Sequence, residues 1–179
     1  CGIAGFCNFH ENYIKRSSKC YEILDKMKNK IKHRGPDDNG LYLSKHAGLA
    51  HARLSMIDLT GGRQPMTRKI GDKIYTIIYN GELYNTAELR ADLESKGWTF
   101  NTTSDTEVIL VGFIEYGNEF VKQLNGIFAF AILDEYQESI SIFRDRLGIK
   151  PLFYTILEDT LIFGSELKVL FEYPGCRPV

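Results

Sequence analysis

Charge of one sign is missing in any useful excess: 22 Lys and Arg stand against 23 Asp and Glu in 179 residues. Without a basic surplus nothing gathers phosphate backbones or anionic lipid, so no nucleic acid is expected as a partner. Long apolar runs are missing too. The longest, Ile127 to Leu133 (IFAFAIL), falls far short of the roughly 20 residues that span a bilayer, and no apolar region follows a basic start. The expectation is a soluble, cytoplasmic chain with no membrane partner.

Cysteine is sparse, at positions 1, 7, 20 and 176, with no CxxC pair. Neither a zinc knuckle nor a dense disulfide framework fits that spacing, and a reducing compartment does. The histidines at 10, 33, 46 and 51 form no i,i+4 pair and have no nearby carboxylate cluster, so no metal is assigned. No P-loop or GxGxxG is present to cradle a nucleotide, and internal repeats, low-complexity tracts and linkers are lacking. With 44% hydrophobic and 12% aromatic residues, the chain has apolar material for one well-packed domain over residues 1–179 and too little for two sizeable ones.

Several segments announce their structure. From Ser18 to Lys32, apolar residues at Cys20, Ile23, Leu24, Met27 and Ile31 form a helical stripe behind capping serines. On this stripe Cys20 reads as a buried small hydrophobe, as does Cys7 on an apolar strand pattern. LYLS, GLAHARL and KIYTIIYN have strand composition. NTAELRADLESKG pairs Asn85 with Glu88 as a capping box and ends at Gly97, and SDTEVILVGFIEYG pairs Ser104 with Glu107 in the same way. The last third reads as a β-meander followed by a short helix, whereas TGGRQPMTRKIGDK reads as a surface loop. Hairpins imply antiparallel sheets, and runs such as IFAFAIL imply burial on both faces, so helices must cover the outside. The expected class is α+β, a four-layer αββα sandwich with two mainly antiparallel sheets between helical layers.

The chain opens CGIAGF, with a thiol and an α-amine on residue 1. Their ordinary pKa values, about 8.5 and about 7.7 to 8.0, let the amine accept the thiol proton, so Cys1 alone supplies nucleophile and base. A lipidated cysteine and an arbitrary truncation remain alternatives, although GIAGFC resembles a strand entering a core more than a polar tether. In YNGELYN, Asn80 offers a side-chain amide and Gly81 an unobstructed N–H, a pair suited to an oxyanion hole, or simply a tight turn. In AHARLS, Arg53 ends an apolar strand, where a guanidinium binds a carboxylate bidentately or just meets solvent. Asp105 opens a helix, as a cap or as an ammonium partner. Arg34, Arg144 and Asp145 read as framework ion pairs in structured turns. Taken together, these groups suit a substrate with an amide at one end and an α-amino acid at the other, of which glutamine is the obvious example.

CGIAGF, HRGPDD, AHARLSMIDL, GRQPM, YNGELYN, SDTEV, LNGIFAFAILD and RDRLGIKPLFY occur in that order along essentially the whole chain. In this the sequence resembles the class II glutamine amidotransferases, and within them the N-terminal glutaminase domain of glutamine-hydrolysing asparagine synthetases. The resemblance implies the N-terminal nucleophile hydrolase fold, with Cys1 as nucleophile and Asn80 and Gly81 as the oxyanion hole. It further implies that Arg53 binds the glutamine α-carboxylate, that Asp105 and Glu82 bind the α-amine, and that backbone between Leu54 and Ile57 lines the pocket. L-Glutamine would be the substrate, with no cofactor in this domain. ATP and Mg2+ would serve a C-terminal synthetase domain, which this sequence lacks and which would be its partner. A homodimer is left open. The same glutaminase half also occurs with sugar or peptide acceptors, and a lipid-anchored or binding protein is the reading furthest from catalysis.

Overall fold

Strand Gly2–Cys7 (β1) is buried along its whole length, because it is the centre of a five-stranded sheet. The computed structural model describes residues 1–54 and 62–178. It divides into two compact units, residues 1–55 with 151–179, and residues 56–150. The sequence suggested a single core; two apolar clusters are found, one within each unit.

In the first unit the strand order is β2 (Asp38–Leu43), β3 (Ala47–Arg53), β1, β9 (Thr160–Gly164), β8 (Phe153–Leu157), all antiparallel. Helix α1 (Ser17–Ile31) packs the expected stripe, Cys20, Leu24, Met27 and Ile31, against Ala4, Phe6, Ala50 and Ala52. The serines do not cap it. They lie inside the helix, which continues from a 3-10 turn at Tyr13–Arg16, and Arg16 at the N-cap makes no side-chain cap bond. A short helix, α4 (Leu167–Leu170), adds Val169 and Leu170 to the same core. The strands alternate in the expected way, and the opposite-parity residues Ile3, Leu49 and Phe163 are also fully buried.

The second unit is a four-stranded antiparallel sheet in the order β4 (Met66–Ile70), β5 (Lys73–Leu83), β6 (Gly126–Asp134), β7 (Ser139–Arg144). Helices α2 (Thr86–Ser95) and α3 (Asp105–Tyr116) cover Ile77, Tyr79, Phe128, Phe130 and Ile132. Helix α2 ends as expected at Gly97, whose φ of 96° is costly for a side chain. The segment read as a surface loop contains β4, a hairpin partner of β5. The expected meander is divided: β6 and β7 belong to this sheet, and β8 and β9 to the other.

The two capping boxes differ from expectation. Ser104 caps α3, accepting from the Glu107 N–H at 3.4 Å, but the Glu107 carboxylate turns upstream to the N–H groups of Asn101 and Thr102 and to Arg68. Asn85 makes no cap bond at α2. Its amide instead donates to Gln123 O at 2.8 Å and accepts from Asn125 N at 3.0 Å, tying the end of β5 to the start of β6.

Candidate active site

Cys1 sits one step beyond the Gly2–Ala52 pair, at the head of the central strand and beside the end of β3. Its half-buried thiol lies against the Leu54 backbone: the Leu54 N–H donates to Sγ at 3.4 Å and the Leu54 carbonyl lies 3.9 Å from it. The α-amine donates to Arg34 O at 2.7 Å. Arg34 is in turn fixed by Glu166, which accepts from its Nε at 2.6 Å and lies 2.7 Å from His33 Nε2. Burial would raise the Glu166 carboxyl, but the Arg34 hydrogen bond and the neighbouring positive charges outweigh it and hold the group below the usual range. Hydroxyl and N–H of Ser165 complete the anchoring by bonding both polar groups of Ile3. Arg53, read from sequence as either a clamp or an exposed cation, is 9% exposed, and its carbonyl accepts from Asp37 N at 3.1 Å. Thus Cys1, Arg53 and Leu54 are brought together in the first unit, while Ile57 lies outside the described residues.

Burial pushes Cys7 up to about 12 and raises Cys20 as well, so neither is a nucleophile at neutral pH.

Asn80, Gly81 and Glu82 occupy β5 where it runs on past β4, whose last pair is Met66 with Ile77. Two side chains take over from the missing strand on that edge. Gln64 Oε1 accepts from Tyr79 N at 2.5 Å, and Asp105 Oδ2 accepts from Leu83 N at 3.3 Å. Since N–H direction alternates along a strand, the Gly81 N–H points to the same edge, between the two, and has no acceptor among the described residues. Gly81 must be glycine, because a Cβ would overlap the Ile127 carbonyl oxygen and lie 2.8 Å from the Phe128 Cα. Asn80 is 3% exposed and its Nδ2 is buried without a hydrogen-bond partner. Two adjacent residues therefore each hold an unspent donor. Asp105 is brought to this end of β5 by α3, whereas Glu82 is exposed and no bond joins it to Asp105.

Sequence reasoning missed the Arg34 carbonyl, Glu166, Gln64 and the hydroxyl of Tyr79. Of these only Arg34, Gln64 and Tyr79 fall in segments that stood out. Arg144 and Asp145 stabilise a turn as expected, but through backbone: Arg144 donates to the carbonyls of Gly148 and Lys150, and Asp145 accepts from Phe128, Ile149 and Lys150 N–H. Arg34 does form an ion pair. A cavity of about 270 Å³ beside Tyr13 and Tyr173 and another of about 570 Å³ beside Phe128 and Arg144 are lined by none of Cys1, Arg53, Leu54, Asn80, Gly81, Glu82 and Asp105. No group of three or more His, Cys, Asp or Glu among the described residues is arranged to hold a metal ion. No helix among them is long and apolar enough to cross a membrane.

A thiol beside a buried arginine in one unit, and paired unspent donors at a strand end in the other, are each groups that amide chemistry can use. The chain belongs to the glutamine amidotransferase domain family, whose model matches residues 1–179. Among curated relatives it is 44% identical over 177 residues to asparagine synthetase [glutamine-hydrolyzing] 3 of Bacillus subtilis, covering 99% of this chain and 28% of that protein. It is 38% identical over 180 residues to asparagine synthetase B [glutamine-hydrolyzing] of Escherichia coli, covering 100% of this chain and 31% of that one. The chain thus spans about 30% of the length of these relatives. Among solved structures, the glutamine phosphoribosylpyrophosphate amidotransferase of B. subtilis, complexed with ADP and GMP, matches with a TM-score of 0.76 at 21% identity, over 96% of this chain and 43% of that one. This likeness shows the fold alone, the α+β N-terminal nucleophile hydrolase fold with two antiparallel sheets.

Proposed function

We propose that this domain, residues 1–179, hydrolyses L-glutamine to glutamate and ammonia with Cys1 as nucleophile. The observation that carries the reading is the pair of unspent donors, Asn80 Nδ2 and Gly81 N–H, since a buried amide left without a partner costs about 1 to 3 kcal/mol and persists where a ligand uses it. The thiol proton passes to the Cys1 α-amine, and the thiolate sulfur forms a bond to the side-chain amide carbon. Asn80 and Gly81 bind the resulting oxyanion. As the tetrahedral adduct collapses, the protonated amine delivers its proton to the departing nitrogen, which leaves as ammonia, and a γ-glutamyl thioester remains. Water, deprotonated by the same amine, then cleaves the C–S bond and releases glutamate. Arg53 binds the α-carboxylate, Asp105 with Glu82 the α-amine, and backbone from Leu54 to Ile57 lines the site.

The relatives' names support a larger role. In it, ammonia from this domain feeds an ATP-dependent conversion of aspartate to asparagine by a C-terminal synthetase domain, in the cytoplasm. ATP and Mg2+ would belong to that domain.

The test is ammonia and glutamate release by the purified protein, beside Cys1→Ala and a variant extended by one residue before Cys1. Turnover confined to the protein with a free Cys1 amine is expected. Equal turnover in the extended variant would remove the amine from the mechanism, and turnover in Cys1→Ala would remove the thiol.

A further inference from the structure

Tyr79 has no part in the steps above, yet it is buried at 3% exposure with its hydroxyl donating to Asp105 Oδ2 at 2.9 Å. The same oxygen accepts from Leu83 N at 3.3 Å. Both bonds fall on Oδ2, so Oδ1 has no protein partner among the described residues. An Asp at the first position of a helix, with free rotation, would turn either oxygen toward the helix N–H groups. Here two donors from β5 share one oxygen, and the other is left to a further donor.

The backbone of Tyr79 is held as firmly as its side chain. Its N–H donates to Gln64 Oε1, while Gln64 Nε2 donates to Thr106 Oγ1 at 3.3 Å. Tyr79 and Gln64 therefore stitch β5 to the first turn of α3 through two adjacent residues, Asp105 and Thr106. The phenol remains a donor across any working pH, because burial first, and then the Asp105 charge, push its ionisation far upward.

We infer that Tyr79 is a positioning residue for substrate recognition: its hydroxyl occupies Oδ2 of Asp105 and thereby presents Oδ1 to the α-ammonium group of an amino-acid substrate. The inference rests on the proposed role of Asp105 and deepens it. It assigns to Tyr79 discrimination between α-amino and desamino amides, which a merely structural tyrosine would not supply.

The experiment measures glutamine and glutaramate, the analogue lacking the α-amine, binding by calorimetry to protein carrying Cys1→Ala, so that no turnover is needed. Asp105→Asn, Tyr79→Phe and the double variant are compared, with urea midpoints as a check on folding. Tyr79→Phe keeps the ring that packs near Phe130 and removes one oxygen. The expected result is glutamine affinity reduced about tenfold, a charge-assisted hydrogen bond's share, with glutaramate affinity changed less than twofold. The double variant is expected to bind glutamine no more weakly than Asp105→Asn alone. Equal losses for both ligands, or no loss with glutamine while Asp105→Asn shows one, would overturn the inference and leave the role of Asp105 standing. Should Asp105→Asn itself leave glutamine binding unchanged, the assignment of Asp105 to the ammonium group falls, and the inference with it.

Discussion

The Cys1 α-amine donates a hydrogen bond of 2.7 Å to the carbonyl of Arg34, a residue 33 positions along the chain. What fixes that carbonyl is the far end of the same residue, the guanidinium held at 2.6 Å by Glu166. Amine orientation thus depends on an ion pair made by the far end of Arg34. Glu166→Ala is expected to lower kcat for glutamine about tenfold, through a misplaced base, with KM changed less than threefold. The pair is partly exposed, so the stability loss is expected to be only about 1 kcal/mol. Steady-state kinetics with a parallel urea titration measure both, and an unchanged kcat would disconnect Glu166 from the amine.

Asn80 should show function and stability moving in opposite directions. Its buried, unpartnered amide is a cost to the folded protein of about 1 to 3 kcal/mol. Asn80→Ala removes that cost together with the oxyanion donor, so turnover is expected to fall about 10² to 10³-fold while the urea midpoint holds or rises. A fall in stability of the size usual for core truncation would mean that the amide has a protein partner in solution.

Much of this site was legible because its residues interrupt regular patterns. Asn80 and Gly81 stand where an apolar strand breaks, and Ser104 precedes an apolar helix, so both were visible in one dimension. Strand β4 was not, since its residues, MTRKI, alternate weakly and follow Gly and Pro; pairing with β5, not composition, makes it a strand. Asn85 satisfies the capping pattern but finds better acceptors and donors at Gln123 and Asn125, a competition that only tertiary contact decides. The β-meander was misread for the same reason: the turn from Asp145 to Lys150 is pinned by its own side chains and separates two sheets that sequence order places together. Arg34 with Glu166 joins positions 132 apart, beyond the reach of any local pattern.

Arg53 offers a test of carboxylate recognition through geometry. Lysine retains the charge but not the planar fork that matches a carboxylate. Arg53→Lys is expected to raise KM for glutamine about tenfold with kcat within threefold, and Arg53→Ala to raise it about 10²-fold, the signature of an interaction equal in ground and transition states. An unaltered KM in Arg53→Lys would reject bidentate binding. Because Arg53 is buried, circular dichroism of each variant must match the parent before the kinetics are read.

The turn after β7 yields a pH-dependent prediction. Asp145 is 6% exposed, and its carboxylate accepts from Phe128, Ile149 and Lys150 N–H at 3.1 Å each. Burial alone would raise the carboxyl, but those N–H groups more than offset it, and it is held below the usual carboxylate range. Because the folded value lies below the unfolded one, about 3.9, the stabilisation is fully present above that pH and is lost as pH falls through the folded value. Asp145→Asn presents an NH2 group to some of these donors and is expected to cost about 2 to 4 kcal/mol at pH 7. Urea titrations at stepped pH should show the gap between parent and variant constant from pH 7 to about 5 and narrowing below about pH 4. A gap that stays constant down to pH 2 would mean that the ionised carboxylate is not what secures the turn.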